Sequence, residues 1–251
     1  NVGAPQGPCV VGINKLSGKL VWEAGKNNWG PSYASPIPAK IHGKDRVFVY
    51  AGGESDPPSG GLLSIDPKNG RVDFEYPWRS RKYESVNAMC PLIIGNNVFV
   101  SASYRCGSSM LSIDKNFKPT VEWTKIDLEH NLADELGIHW STPVHKDGHI
   151  YAFDGRNEGD ASLVCVNAKT GKIVWREIPE LEEEIEFAGE KQTITMSTLR
   201  GSLLVVDGKF LCIGELGHLM WLDLTPQGMK ILDRVWMFGS AETWAPPIVS
   251  H

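Results

Sequence analysis

Several groups of side chains have types and spacings that suit chemistry. Tyr33, Glu84, Asn87, His139, Trp140, Glu242 and Trp244 lie in four segments that each precede an apolar run: 33–35, 83–87, 137–141 and 241–244. Aromatic walls with a few polar groups suit a small-molecule pocket. The same residues also suit a packed aromatic plug, and a lone His139 suits a structural hydrogen bond as well as a base. Asp154, Glu158 and Asp160 stand among glycines and offer oxygen ligands of the kind calcium takes. Their spacing does not fit the helix-flanked calcium loop, and a polar hairpin loop, with Arg156 pairing locally, explains them as well. Glu180, Glu182, Glu183, Glu184 and Glu186 fill a connection between 177 and 190, which reads as a solvated loop or a recognition segment for a basic partner. The basic-aromatic segment 77–82, with Trp78, Arg79, Arg81 and Lys82, is small for an anion site. The five cysteines, at 9, 90, 106, 165 and 212, form no short-spaced pair, so they read as buried apolar thiols rather than zinc ligands. No nucleophile elbow, phosphate-binding glycine loop or H-E-x-x-H segment occurs.

The elements that must position these residues come from a repeat. An apolar residue, an Asp or Asn, three residues, a Gly, three residues and a large apolar residue recur at Asn14–Gly18–Trp22, Asp66–Gly70–Phe74 and Asn167–Gly171–Trp175. Weaker copies begin at Asp114, which lacks the Gly and reaches Trp123, and at Asp223, with Gly228 one place late. Asp and Asn bond backbone amides two residues on and start a tight turn. Gly then accepts positive φ and closes a hairpin with a bulge. Between these hairpins lie pairs of β-branched and aromatic runs, such as Ile37 to Tyr50 and Leu92 to Val100, split by Gly and Asn turns. Helical periodicity is confined to 127–136, which reads as an insertion. Each period of about 50 residues therefore holds four short strands, the pattern of a β-propeller. The expected repeats are 1–24, 25–77, 78–126, 127–178, 179–237 and 238–251, the first and last incomplete. A half-blade and a lone strand could close a ring of five, but the reading favours a fragment of a seven- or eight-bladed ring.

The copies at Asn14–Trp22 and Asn167–Trp175 resemble the Asp-x-x-x-Gly-x-x-x-Trp hairpin of pyrroloquinoline-quinone (PQQ)-type propeller repeats. By period and motif the resemblance covers nearly the whole chain. Two kinds of protein carry this repeat: quinoprotein alcohol dehydrogenases, which bind PQQ and calcium, and non-enzymatic bacterial propellers similar to the lipoprotein of the outer-membrane assembly machinery. The dehydrogenases commonly carry adjacent cysteines over the cofactor and an appended c-type haem domain. Neither a Cys-Cys pair nor C-x-x-C-H occurs here. The resemblance therefore implies a binding or scaffolding propeller of the periplasm or cell envelope, with a protein partner and no cofactor. The alternative it leaves open is a PQQ- and calcium-dependent dehydrogenase for an alcohol, sugar or polymeric alcohol.

Charge and hydropathy fit that reading. Of 251 residues, 25 are Lys or Arg and 30 are Asp or Glu, for a net charge of −5. No basic face exists for nucleic acid or for an anionic membrane. No apolar run reaches the roughly 18–20 residues of a spanning helix, and the sequence opens at Asn1 without Met or a charged-then-apolar leader, so a signal peptide is expected to be absent or already removed.

Overall fold

The computed structural model describes residues 7–25, 28–125, 136–156, 161–239 and 243–250, and every regular element among them is a β-strand. The chain divides into two compact units, Asn1–Thr142 with Lys169–Gly171, and Pro143–Ala168 with Lys172–His251. The first unit holds a two-stranded sheet, β1 (Val10–Ile13) and β2 (Leu20–Ala24). It also holds a four-stranded sheet of β3 (Ile37–Ile41), β4 (Lys44–Ala51), β5 (Gly61–Ile65) and β6 (Val72–Pro77). A second such sheet joins β7 (Leu92–Ile94), β8 (Asn97–Ala102), β9 (Gly107–Ile113) and β10 (Pro119–Lys125). In the second unit, β11 (Val144–Lys146), β12 (His149–Asp154), β13 (Ser162–Asn167) and β14 (Ile173–Glu177) form one sheet. A separate pair follows, β15 (Glu180–Phe187) and β16 (Glu190–Ser197). The last sheet contains β17 (Gly201–Val206), β18 (Lys209–Gly214), β19 (His218–Thr225) and β20 (Gly228–Trp236). Each four-stranded sheet is an antiparallel meander whose spatial order follows the sequence.

The repeat motif does the mechanical work expected of it. Asn14 Oδ1 accepts from the amides of Leu16 and Ser17, at 3.0 and 2.9 Å, and Asp66 Oδ1 accepts from Lys68 N at 3.0 Å. Gly18, Gly70 and Gly171 follow at φ of 67°, 75° and 69°, where a side chain would be strained. The register slips by a bulge just before each of these turns, at Gly12/Ile13, Ser64/Ile65 and Cys165/Val166. The tryptophan that closes the motif then locks one hairpin to the next. Trp22 Nε1 donates to Pro67 O at 2.9 Å, and its ring lies so close over Gly70 that an added Cβ would sit 2.8 Å from it. Trp175 Nε1 makes the matching bond to Thr225 O at 2.7 Å.

The central strands carry the cores. All five residues of β5 are buried, Ser64 included, so the strand shows no alternation of apolar and exposed polar residues. In the first unit Phe48, Tyr50, Leu62, Val98, Val100 and Leu111 share one core cluster. In the second, Tyr151, Phe153, Leu163, Phe210, Met220 and Leu222 share another. Each such side chain contributes about 1.5–3 kcal/mol by leaving water.

Three local expectations change. The glutamate-rich stretch is a hairpin rather than a loop, turning at Ala188 and Gly189 with φ of 55° and 83°. Both positive values belong to the primed two-residue turns that match strand twist. Asp223 caps no turn; it lies within β19 and its carboxylate takes Lys209 Nζ at 2.5 Å, while Thr225 Oγ1 starts the turn by accepting from Gln227 N. The segments 83–91 and 139–143 are irregular, so the first strands begin later, at Leu92 and Val144. The helical candidate 127–136 lies outside the described residues except for Leu136, which is buried.

Candidate functional site

Of the strand-entry residues, Tyr33, Glu84, Asn87, His139 and Trp140 belong to the first unit and Trp244 to the second; Glu242 lies outside the described residues. In the first unit, Tyr33 N donates to Asn87 O at 3.3 Å, joining two entry segments. The Asn87 side chain is buried and its Nδ2 donates to Ala51 O at 2.8 Å and Trp78 O at 3.2 Å. Its Oδ1 is buried without a partner among the described residues, as is the hydroxyl of Tyr50. Tyr33 is 80% exposed, and Glu84 is exposed with φ of 64°. His139 lies edge-on to Tyr104, with Nε2 3.2 Å from the phenol oxygen.

Arg79 is the organiser that sequence reading left out of this group. Its guanidinium donates to Gly53 O, Ser85 Oγ and Ser85 O, at 3.2, 2.7 and 2.5 Å, and Trp78 Nε1 donates to Gly107 O at 3.1 Å. The basic-aromatic segment 77–82 therefore clasps loops, and only Arg81 and Lys82 of it are exposed cations. No sequence signal marks this, because the acceptors are a serine hydroxyl and backbone carbonyls, 26 residues back and six ahead.

In the second unit, Trp244 Nε1 donates to Glu215 Oε1 at 2.9 Å. Glu215 is fully buried and also accepts from Arg200 N, Nε and an Nη, at 3.0, 2.8 and 2.7 Å. Arg200 reaches Arg156 O at 2.7 Å through its other Nη. A paired, fork-on buried carboxylate of this kind is structural furniture and not a base. Asp154 is equally committed: it is buried, paired with Arg176, and Arg176 donates onward to Ser162 Oγ at 2.8 Å. Glu158 and Asp160 lie outside the described residues.

Among the described residues no three His, Cys, Asp or Glu side chains converge to hold a metal. All five cysteines are free thiols, and all but Cys90 are buried. Burial pushes the thiols up, Cys9 to about 11 and Cys106 to about 12, away from nucleophilic thiolate.

The feature most suited to recognition is the β15–β16 hairpin. Glu180, Glu182, Glu184 and Glu186 alternate onto one exposed face, opposite Ser197, Thr195, Thr193 and Lys191 of the partner strand. The other face presents buried Leu181, half-buried Ile185, Ile194 and Met196, and Phe187, which is 66% exposed near the tip. At its base Glu183 pairs with Arg234, and Arg234 donates to Glu182 O at 2.5 Å. His218 is fully buried there, stacked on Trp236 and 3.3 Å from Glu183 Oε1. No further strand pairs with either strand of the hairpin among the described residues.

Antiparallel four-stranded meanders, repeated and locked tryptophan to turn, define a β-propeller of the PQQ-type repeat class. More narrowly, the chain belongs to the family described as outer membrane protein assembly factor BamB, whose model matches residues 4–177. Comparison with curated proteins returns no match. Among solved structures, BamB from Moraxella catarrhalis is similar at 15% identity and a TM-score of 0.49, over 95% of this chain and 73% of that one. A quinohemoprotein alcohol dehydrogenase from Comamonas testosteroni aligns at 14% identity and a TM-score of 0.52, over 89% of this chain and 39% of its own. A europium-containing methanol dehydrogenase aligns at 10% identity and 0.51, over 84% and 42%. The chain thus spans about two fifths of each dehydrogenase, and those likenesses show the fold alone.

Proposed function

We propose that this chain is a non-catalytic binding module of the bacterial cell envelope, part of a seven- or eight-bladed ring, that docks a protein partner. Its family's description as an outer-membrane assembly factor supports the setting. The observation that carries the reading is the amphipathic acidic hairpin, with four alternating glutamates on one face, apolar residues on the other and no further strand paired with it among the described residues. An unpaired strand edge offers backbone hydrogen bonds to an extended segment, and alternating side chains choose which segment. The partner segment is accordingly basic and β-prone. Tyr33 and Glu84, exposed in the first unit, are a second proposed contact region, with His139 and Trp140 the aromatic remainder within that unit.

The test is capture from envelope extract by the full-length protein, compared with the triple charge reversal Glu182→Lys, Glu184→Lys and Glu186→Lys. A stoichiometric partner held by the parent protein and released by the reversal supports the reading. Dye reduction with alcohols that needs added PQQ and calcium and is abolished by a chelator rejects it in favour of the dehydrogenase.

A further inference from the structure

A separate feature of the first unit has no part in that docking surface. Two hairpin turns and the tip of a third surround a pocket of about 280 Å³, near the small end of ligand pockets. It is lined by Gly43, Lys44, Asp45 and Arg46 at the start of β4, Asp66, Lys68 and Arg71 around the β5–β6 turn, and Phe117 before β10. We propose that this pocket binds a phosphate group.

The acids on its wall are already engaged. Asp45 takes Lys40 Nζ at 2.5 Å, and Asp66 spends Oδ1 on its own turn while Oδ2 faces Arg46 at 3.7 Å. Asp73, beneath, holds both Arg46 and Arg71. The cations are less engaged. Lys44 Nζ stands 5.4 Å above the Phe117 ring and has no carboxylate partner among the described residues. Lys68 is exposed on the turn, and its side chain has no hydrogen-bond or ion-pair partner among them. Arg71 commits only one nitrogen, 3.0 Å from Asp73, and is otherwise exposed.

The back of the pocket is rigid. Arg46 is buried, its guanidinium stacked 3.6 Å from the centre of the Phe117 ring and its Nη1 on Asp45 O at 2.7 Å. Stacking on Phe117, with the pairing to Asp73, holds the guanidinium plane as the fixed back wall behind the exposed cations. Several cations around one small polar cavity suit a multiply charged oxyanion better than a single carboxylate. Strand β4 and the β5–β6 turn are fixed by the sheet, so the cations gather without ordering a loop.

The phosphate has two possible sources, a free phosphate compound or a lipid headgroup, and the experiment separates them. Titrate the full chain at low ionic strength with inorganic pyrophosphate by calorimetry, and co-sediment it with phosphatidylcholine vesicles carrying phosphatidic acid. Compare Lys44→Met with Lys68→Met against the control pair Lys15→Met with Lys19→Met, exposed lysines of the β1–β2 turn that do not line the pocket. Saturable pyrophosphate binding weakened at least about tenfold by the first pair alone supports the site with a soluble ligand. Co-sedimentation lost in the same selective way supports it with a lipid ligand. Binding in neither arm, or binding weakened equally by both pairs, overturns it. Should the double variant not fold, Lys68→Met alone decides, because that side chain is exposed on the turn; an unchanged affinity overturns the site.

Discussion

The Arg200–Glu215 pair makes the sharpest test of the energetics. Glu215 has no exposed surface and receives four donors: Arg200 N, Nε and an Nη, and Trp244 Nε1. Glu215→Ala leaves a guanidinium that is 7% exposed without its carboxylate. Breaking one side of such a pair costs about 3–5 kcal/mol, because the remaining charge stays desolvated. Arg200→Met strands the carboxylate and costs a similar amount, so independent effects would sum to about 6–10 kcal/mol. The double variant Arg200→Met with Glu215→Leu removes both charges. It leaves the buried amide at position 200 without that acceptor, for an expected loss of about 1–3 kcal/mol, whereas Trp244, 52% exposed, turns its Nε1 to water. The assay is urea unfolding followed by tryptophan fluorescence, with linear extrapolation for each variant. A double-variant loss equal to the sum of the singles, or a Glu215→Ala loss below about 1 kcal/mol, refutes the reasoning.

Other consequences are as direct. Gly70→Ala forces a Cβ to 2.8 Å from the Trp22 ring at a φ of 75°, and should cost about 2–4 kcal/mol in the same unfolding assay. Tyr50→Phe deletes a buried hydroxyl without a partner among the described residues and should leave stability unchanged or raise it by about 1 kcal/mol. Burial holds the His218 pKa below its ordinary 6.5, so the unfolded chain binds that proton first. The His218 contribution is complete above about pH 6.5 and declines as pH falls from there toward the lower folded-state value. A pH series of unfolding free energies should show that decline and lose it in His218→Phe. Iodoacetamide mapped by mass spectrometry should modify Cys90 first in the folded chain, because the other thiols are buried and burial raises their pKa.

The blades were legible because their signals are local. An Asp or Asn, a Gly four places on and a tryptophan after it specify a turn, a bulge and a dock within nine residues, and the structure uses each: Asn14, Gly18 and Trp22 are the example. The glutamate-rich hairpin was legible too, in the alternation of Leu181 and Ile185 with glutamates, but its charge drew the reading toward a loop. Asp223 misled in the opposite direction, since an acid in the motif's place pairs with Lys209 across the sheet.

What the chain alone determined is therefore its repeating hairpins, its all-β class and the family those hairpins mark. Tertiary structure decided which polar groups are spent and which are available. Arg79, Arg200 and Asp154 are consumed by partners brought from elsewhere in the sequence, whereas Lys44 and Lys68 meet at one pocket although separate turns carry them. The reason is physical: a turn is settled by torsions and hydrogen bonds among neighbours, but the fate of a charge depends on burial and on which distant oppositely charged group the packed sheets deliver to it.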